Sequence, residues 1–180
     1  MLIKSIQVGM LETNCYFLID EGSKKTIIID PGDEADKIIS FIEDEKLVPQ
    51  MILLTHLHYD HVTALPEIKA KYNIPVYAYE KGLSDNGVIK FLDTELEILY
   101  TPGHEPSSIC IYGKRDNFIF TGDTLFYQNV GRWDLSGGNL EQLKNSLRKL
   151  IELPYNTIVY PGHGPSTNLK ESREYLKNWL

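Results

Sequence analysis

Short apolar runs closed by Gly, Pro, Asp or Asn dominate the start of the chain. Leu2–Val8, Cys15–Ile19 and Thr26–Ile29 read as strands, the last two joined by Asp20-Glu21-Gly22-Ser23. Asp30-Pro31-Gly32 stops the third strand. The period then changes, and Ala35, Ile38, Ile39 and Ile42 recur at helical spacing, predicting an amphipathic helix to about Lys46. Met51–Leu54 is a short buried strand, Val62–Tyr72 a second helix and Val76–Tyr79 another strand. Strands follow near Val88–Leu92, Glu95–Tyr100, Ser108–Tyr112 and Asn117–Phe120. Leu140, Leu143, Leu147, Leu150 and Ile151 mark a third helix. Thr157–Tyr160 is a last strand, and Ser166 or Thr167 caps a final helix, with Asn178-Trp179-Leu180 expected in core packing.

The two halves share an order of elements without a residue-level repeat. That order predicts an α+β fold, an αββα sandwich of two mixed β-sheets flanked by helices. Periodicity leaves other α+β layerings open. No Ser/Gly-rich linker divides the 180 residues, so a single domain over 1–180 is expected.

Composition narrows the function classes. The net charge of −7 argues against nucleic-acid or anionic-membrane partners, which need basic surface. No apolar stretch approaches a membrane span, and the N-terminus reads as a strand rather than a signal peptide. Cys15 and Cys110 each sit inside an apolar run, which suggests buried thiols rather than a disulfide and a cytoplasmic protein. A small-molecule substrate is the expected partner; the oligomeric state is left open.

The chemistry concentrates at strand ends. Met51-Ile52-Leu53-Leu54 runs into Thr55-His56-Leu57-His58-Tyr59-Asp60-His61. An extended backbone points residues two apart to the same side, so His56 and His58 can grip one ion together. Asp60 and His61 come as the chain turns toward a helix, where they can face a second ion. Thr101-Pro102-Gly103-His104, Thr121-Gly122-Asp123-Thr124 and Tyr160-Pro161-Gly162-His163-Gly164 each follow an apolar strand and open a Gly-containing loop. All five histidines fall at such positions. Asp30, Asp85 and Asp116 sit in similar turns without histidine partners and are read as structural.

Imidazole and carboxylate ligands without thiolate suit Zn, Mn or Fe and disfavour a closed structural zinc site. Five histidines and two aspartates exceed the needs of one tetrahedral ion, so two divalent ions are expected, zinc first, with a carboxylate and a hydroxide between them.

At these residues the sequence resembles the metallo-β-lactamase superfamily and, within it, the glyoxalase II (hydroxyacylglutathione hydrolase) branch. Thr13-Asn14-Cys15-Tyr16 resembles the family's early strand, Asp30-Pro31-Gly32 its first turn, and Gly131-Arg132-Trp133-Asp134 with Gly137-Gly138 a Gly-rich segment of short glyoxalase-II-like proteins. The resemblance implies that His56, His58 and His104 hold one ion, that Asp60, His61 and His163 hold the other, and that Asp123 bridges them. It implies thioester hydrolysis by a metal-bridging hydroxide, with Asp60 also orienting the nucleophile. Arg132 matches a basic glutathione contact, and Tyr59 and Trp133 are candidates for the pocket mouth.

Departures from the family pattern concern the carrier. Gly164-Pro165 replaces an aromatic contact, Asp134 stands where a tyrosine is common, and Glu105-Pro106-Ser107 replaces Thr-Pro-Gly. The glyoxalase II C-terminal helical region has no counterpart beyond one final helix. Weak selection for glutathione is therefore expected. A mononuclear-iron persulfide dioxygenase and a lactonase of the same fold are the alternative readings.

Overall fold

The computed structural model describes residues 1–177 and 179–180, so the expectation for Asn178 lies outside the described residues. The chain divides into two compact units, Met1–Ala78 and Tyr79–Leu180.

The first unit opens with an antiparallel meander of β1 (Leu2–Val8), β2 (Thr13–Ile19) and β3 (Lys25–Ile29). Helix α1 (Ala35–Asp44) crosses over to β4 (Val48–Leu53), which lies parallel to β3 with Ile29 opposite Leu53. Two helices, α2 (Tyr59–Val62) and α3 (Leu65–Tyr72), lead to β5 (Val76–Tyr79), parallel to β4. Phe17, Ile28 and Ile52 stand in register on one face of this mixed sheet and pack with Ile38 and Ile42 of α1 and Ile68 of α3. Leu18, Ile27, Ile29 and Leu53 point the other way and are buried too.

Two boundaries differ from expectation for identifiable reasons. The helix expected over Val62–Tyr72 is two helices, because Pro66 has no N–H for the ladder and its ring meets the carbonyl four residues back, at Val62, where α2 ends. Strand β4 begins before Pro49, whose missing donor coincides with a register shift against β3 between Thr26 and Ile27.

The second unit contains a short β6 (Gly82–Leu83), then β7 (Val88–Phe91), β8 (Thr94–Tyr100), β9 (Ile109–Gly113) and β10 (Phe118–Gly122). A small ribbon follows, β11 (Leu125–Phe126) with β12 (Asn129–Val130), and α4 (Leu140–Ile151) then crosses to β13 (Ile158–Pro161). Strand β14 (Thr167–Asn168) and helix α5 (Leu169–Leu176) close the unit. The sheet order is β14-β13-β10-β9-β8-β7, antiparallel except for the β10–β13 pair. Cys110, Ile119 and Val159 on one face pack against Leu143, Leu147 and Leu150 of α4 and Leu169 and Leu176 of α5. The cap of α5 is Asn168, whose side chain accepts from Glu171 N at 3.0 Å, rather than Ser166 or Thr167; Thr167 is part of β14.

Both cysteines are free and buried. Burial pushes both thiols up, that of Cys110 to about 12, which keeps both protonated at neutral pH. Among the described residues, no helix is long and apolar enough to cross a membrane.

Candidate metal centre

In the first unit, the parallel β3–β4 pair delivers the donors. Asp30 leaves β3 in the left-handed region at φ 51° and is buried. Its Oδ1 accepts from Thr55 N at 2.8 Å, and its Oδ2 accepts from Thr55 Oγ1 at 2.6 Å and faces His61 Nδ1 at 3.0 Å. A buried carboxylate with these partners is satisfied by donors and helps fix the loop that carries the histidines. Thr55 Oγ1 also lies 3.0 Å from His56 Nδ1. The hydroxyl has one proton, and Asp30 takes it, so toward His56 it can only accept. His58 is extended at the N-terminus of α2, which places Tyr59, Asp60 and His61 in its single turn. The His56 ring centroid is 4.8 Å from that of His58 and 4.1 Å from that of His61. Asp60 Oδ2 accepts from Thr13 Oγ1 at 3.0 Å and lies 3.5 Å from His61 Nε2.

The second unit repeats the device. Strands β8, β10 and β13 end on the same side of the sheet, since β10 and β13 are parallel and β8 is separated from β10 by antiparallel β9. His104, Asp123 and His163 follow those ends. Asp123 Oδ2 lies 3.5 Å from Nε2 of both His104 and His163. His104 Nδ1 donates to the Arg132 carbonyl at 2.8 Å. Gly103 is at φ 130°, and a Cβ there would fall 2.2 Å from Leu143 N, so only glycine lets this loop lie on the start of α4.

Three imidazoles are thus held by Nδ1 against acceptors: the Thr55 hydroxyl for His56, Asp30 for His61 and the Arg132 carbonyl for His104. Each must carry its proton on Nδ1, which turns the Nε2 lone pair outward, the form that binds a metal. The 3.5 Å separations fit the same purpose. At ligand distances of about 2.1 Å, two donors on a tetrahedral ion stand about 3.4 Å apart. The donor set therefore fits divalent metal binding.

Two further residues belong to this arrangement through contacts that the sequence did not show. Asp30 has a histidine partner after all, and the signal was its place after a strand parallel to the one that ends at Thr55-His56. Arg132 contributes through its backbone carbonyl. Its guanidinium, exposed, forms a two-pronged pair with Asp134 at 2.9 and 3.0 Å, which holds the Asp134 carboxyl below its usual range. Trp133 packs edge-on against Trp179 at 5.3 Å beside the core, the contacts of a packing residue. Tyr59 is exposed and lines a small pocket with Asp60.

Gly131 makes a prediction possible. A Cβ there would lie 1.7 Å from the Asp123 carbonyl oxygen and 3.2 Å from His104 Cβ. Gly131→Ala must displace one of the loops that carry Asp123 and His104, and metal affinity, read by chelator competition, is expected to fall at least about tenfold. Unchanged affinity would mean that neither loop needs this close approach.

The sequence profile of the Metallo-beta-lactamase superfamily matches residues 8–85 and 79–163. The chain belongs to that superfamily, has its fold of two mixed sheets with helices, and at this level is a metal-dependent hydrolase. It is 36% identical to the probable metallo-hydrolase YqgX of Bacillus subtilis over 92% of both chains. It is 32% identical to the hydroxyacylglutathione hydrolase GloC of Haemophilus influenzae over 99% of both. Among solved structures it is similar to the BLEG-1 B3 metallo-β-lactamase (TM-score 0.91, 32% identity, 96% of this chain and 97% of that one). ETHE1 from Myxococcus xanthus gives a TM-score of 0.89 with 27% identity over 97% and 83%. TTHA1623, solved in a di-iron-bound form, gives 0.87 with 30% identity over 96% and 98%.

Proposed function

We propose that the chain hydrolyses a thioester of a small-molecule substrate at a binuclear centre. His56, His58 and His104 would hold one ion, and Asp60, His61 and His163 the other, with Asp123 between them. The observation that carries this reading is the position of Asp123 Oδ2, equidistant at 3.5 Å from two histidines assigned to different ions. When bound, two such ions supply a hydroxide nucleophile at neutral pH, because coordination lowers the pKa of water to about 7. The chain's own residues do the rest. Thr13 fixes the Asp60 carboxylate by donating to Oδ2, so that Asp60 can orient the nucleophile. Asp30, Thr55 and the Arg132 carbonyl hold the imidazoles in the binding tautomer. Zinc is the expected ion, with iron or manganese also suited to these ligands.

The thioester reading is supported by the likeness to GloC along the whole chain. Thiol release from lactoylglutathione by metal-loaded protein tests it, and turnover is expected. Likeness to ETHE1 supports a second reading, a mononuclear-iron persulfide dioxygenase. Oxygen uptake with glutathione persulfide, and no thiol release from any thioester, would establish that one instead.

Selection for glutathione is expected to be weak. The Arg132 guanidinium already holds Asp134, so Arg132→Ala is expected to change kcat/KM for lactoylglutathione, relative to a short thioester lacking the peptide, by less than about tenfold. A wild-type preference for lactoylglutathione above about a thousandfold would require a binding surface this account does not contain.

A further inference from the structure

The turn between β1 and β2 displays its apolar residues instead of hiding them. Met10 is 100% exposed and Leu11 51%, and Tyr59 of α2 is 69% exposed. With Val8, Gly9, Asp33 and Asp60 they line a pocket of about 130 Å³. Apolar side chains exposed together, rather than scattered singly, are what a binding surface displays.

The turn is also built to hold them there. Gly9 N donates to Glu34 Oε2 at 2.8 Å, and Glu12 N to Gly9 O at 3.2 Å. Lys37 Nζ donates to the Gln7 carbonyl at 2.8 Å and to Glu34 at 3.2 Å, pinning the end of β1 to α1. Gly9 is at φ 69° and passes so close to Asp33 that a Cβ would meet it at 2.9 Å. The base of the hairpin is fixed on both sides while its tip carries Met10 and Leu11 beside Asp60.

Size and charge identify the occupant. A cavity of about 150 Å³ holds a benzene-sized molecule, so 130 Å³ takes a chain of about four or five carbons and excludes a tripeptide carrier. Asp33 in its wall repels an anion, and no Lys, Arg or His in the lining would pair one, so the group that enters is neutral. We infer that this pocket is the acyl subsite, and that the enzyme prefers thioesters of short unbranched aliphatic acids, the chain lying on Met10 and Leu11 with the carbonyl toward Asp60. This rests on the thioester reading above.

Two measurements test it. Acetyl, propionyl, butyryl and pentanoyl thioesters of one small thiol are compared as substrates of the metal-loaded enzyme. Each added methylene is expected to raise kcat/KM about three- to fourfold in wild type, and less than about 1.5-fold in the double variant Met10→Ser/Leu11→Ser. Both residues are exposed, so the variant should fold, which an unchanged Tm would verify. In parallel, the metal-loaded protein is labelled with ¹³C-methyl methionine; the chain has three methionines, and Met10→Ser assigns one signal. Pentanoate is expected to shift the Met10 methyl saturably and acetate to leave it in place. A flat substrate series with measurable turnover would overturn the subsite and leave the hydrolase standing. No turnover of any thioester would overturn the hydrolase reading. The methionine signal then decides the subsite alone: a saturable shift supports an aliphatic pocket, and none overturns it.

Discussion

Asp123→Ala is expected to strip at least one of the two ions and to reduce turnover by at least about a hundredfold. Asp123 Oδ2 stands 3.5 Å from both His104 Nε2 and His163 Nε2, so one side chain faces two histidine-bearing loops. Without it, two cations about 4 Å apart would face each other with one negative charge fewer between them, and their repulsion is large even at an effective dielectric of 20. Loss of a group that merely orients a ligand costs about 10–100-fold in affinity or activity, and loss of a shared ligand should exceed that. Metal content after gel filtration, together with kcat, gives the answer. Two retained ions with near-normal turnover would show that the ligand assignment is wrong.

The second large effect is expected at a residue that touches no ion in this account. Asp30→Asn keeps the size of the side chain and removes one acceptor. The native carboxylate accepts from Thr55 N, from Thr55 Oγ1 and from His61 Nδ1. An amide cannot accept from both sides. In one orientation its NH2 faces His61, which then carries its proton on Nε2 and cannot ligate. In the other it faces Thr55 N, leaving two donors opposed in a buried site. An unsatisfied buried donor costs about 1–3 kcal/mol, or roughly 5–150-fold in an equilibrium. Metal affinity at the site of His61 should fall by about 10–100-fold while the protein remains folded. Imidazole proton and nitrogen resonances would report the tautomer directly. Native affinity with His61 still protonated on Nδ1 would contradict the role given to Asp30.

How far this could be read from residues alone depended on the range of the interaction. The hydrophobic periods located most elements within a residue or two, because strands such as Cys15–Ile19 and helices such as Leu140–Ile151 are buried along one face. The His56–His61 run was legible because its donors are adjacent, and the candidate donors His104, Asp123 and His163 because each follows an apolar strand. What escaped was set by tertiary contact. Asp30 gains its histidine through the pairing of β3 with β4, and single-chain spacing places it 31 residues from His61. Arg132 acts through a carbonyl, and every residue has one. The two-residue strands β6, β11, β12 and β14 carry too few positions to show a period. Trp133 drew attention as an aromatic beside a turn, and it is Trp179, 46 residues on, that gives it a packing role.

Elemental analysis of freshly purified, fully active protein tests most directly whether the centre holds two ions. About two equivalents of zinc, iron or manganese per chain are expected, with both lost from chelator-treated protein and activity restored in step with the second. One equivalent of iron in a sample whose activity does not rise on adding metal would contradict it.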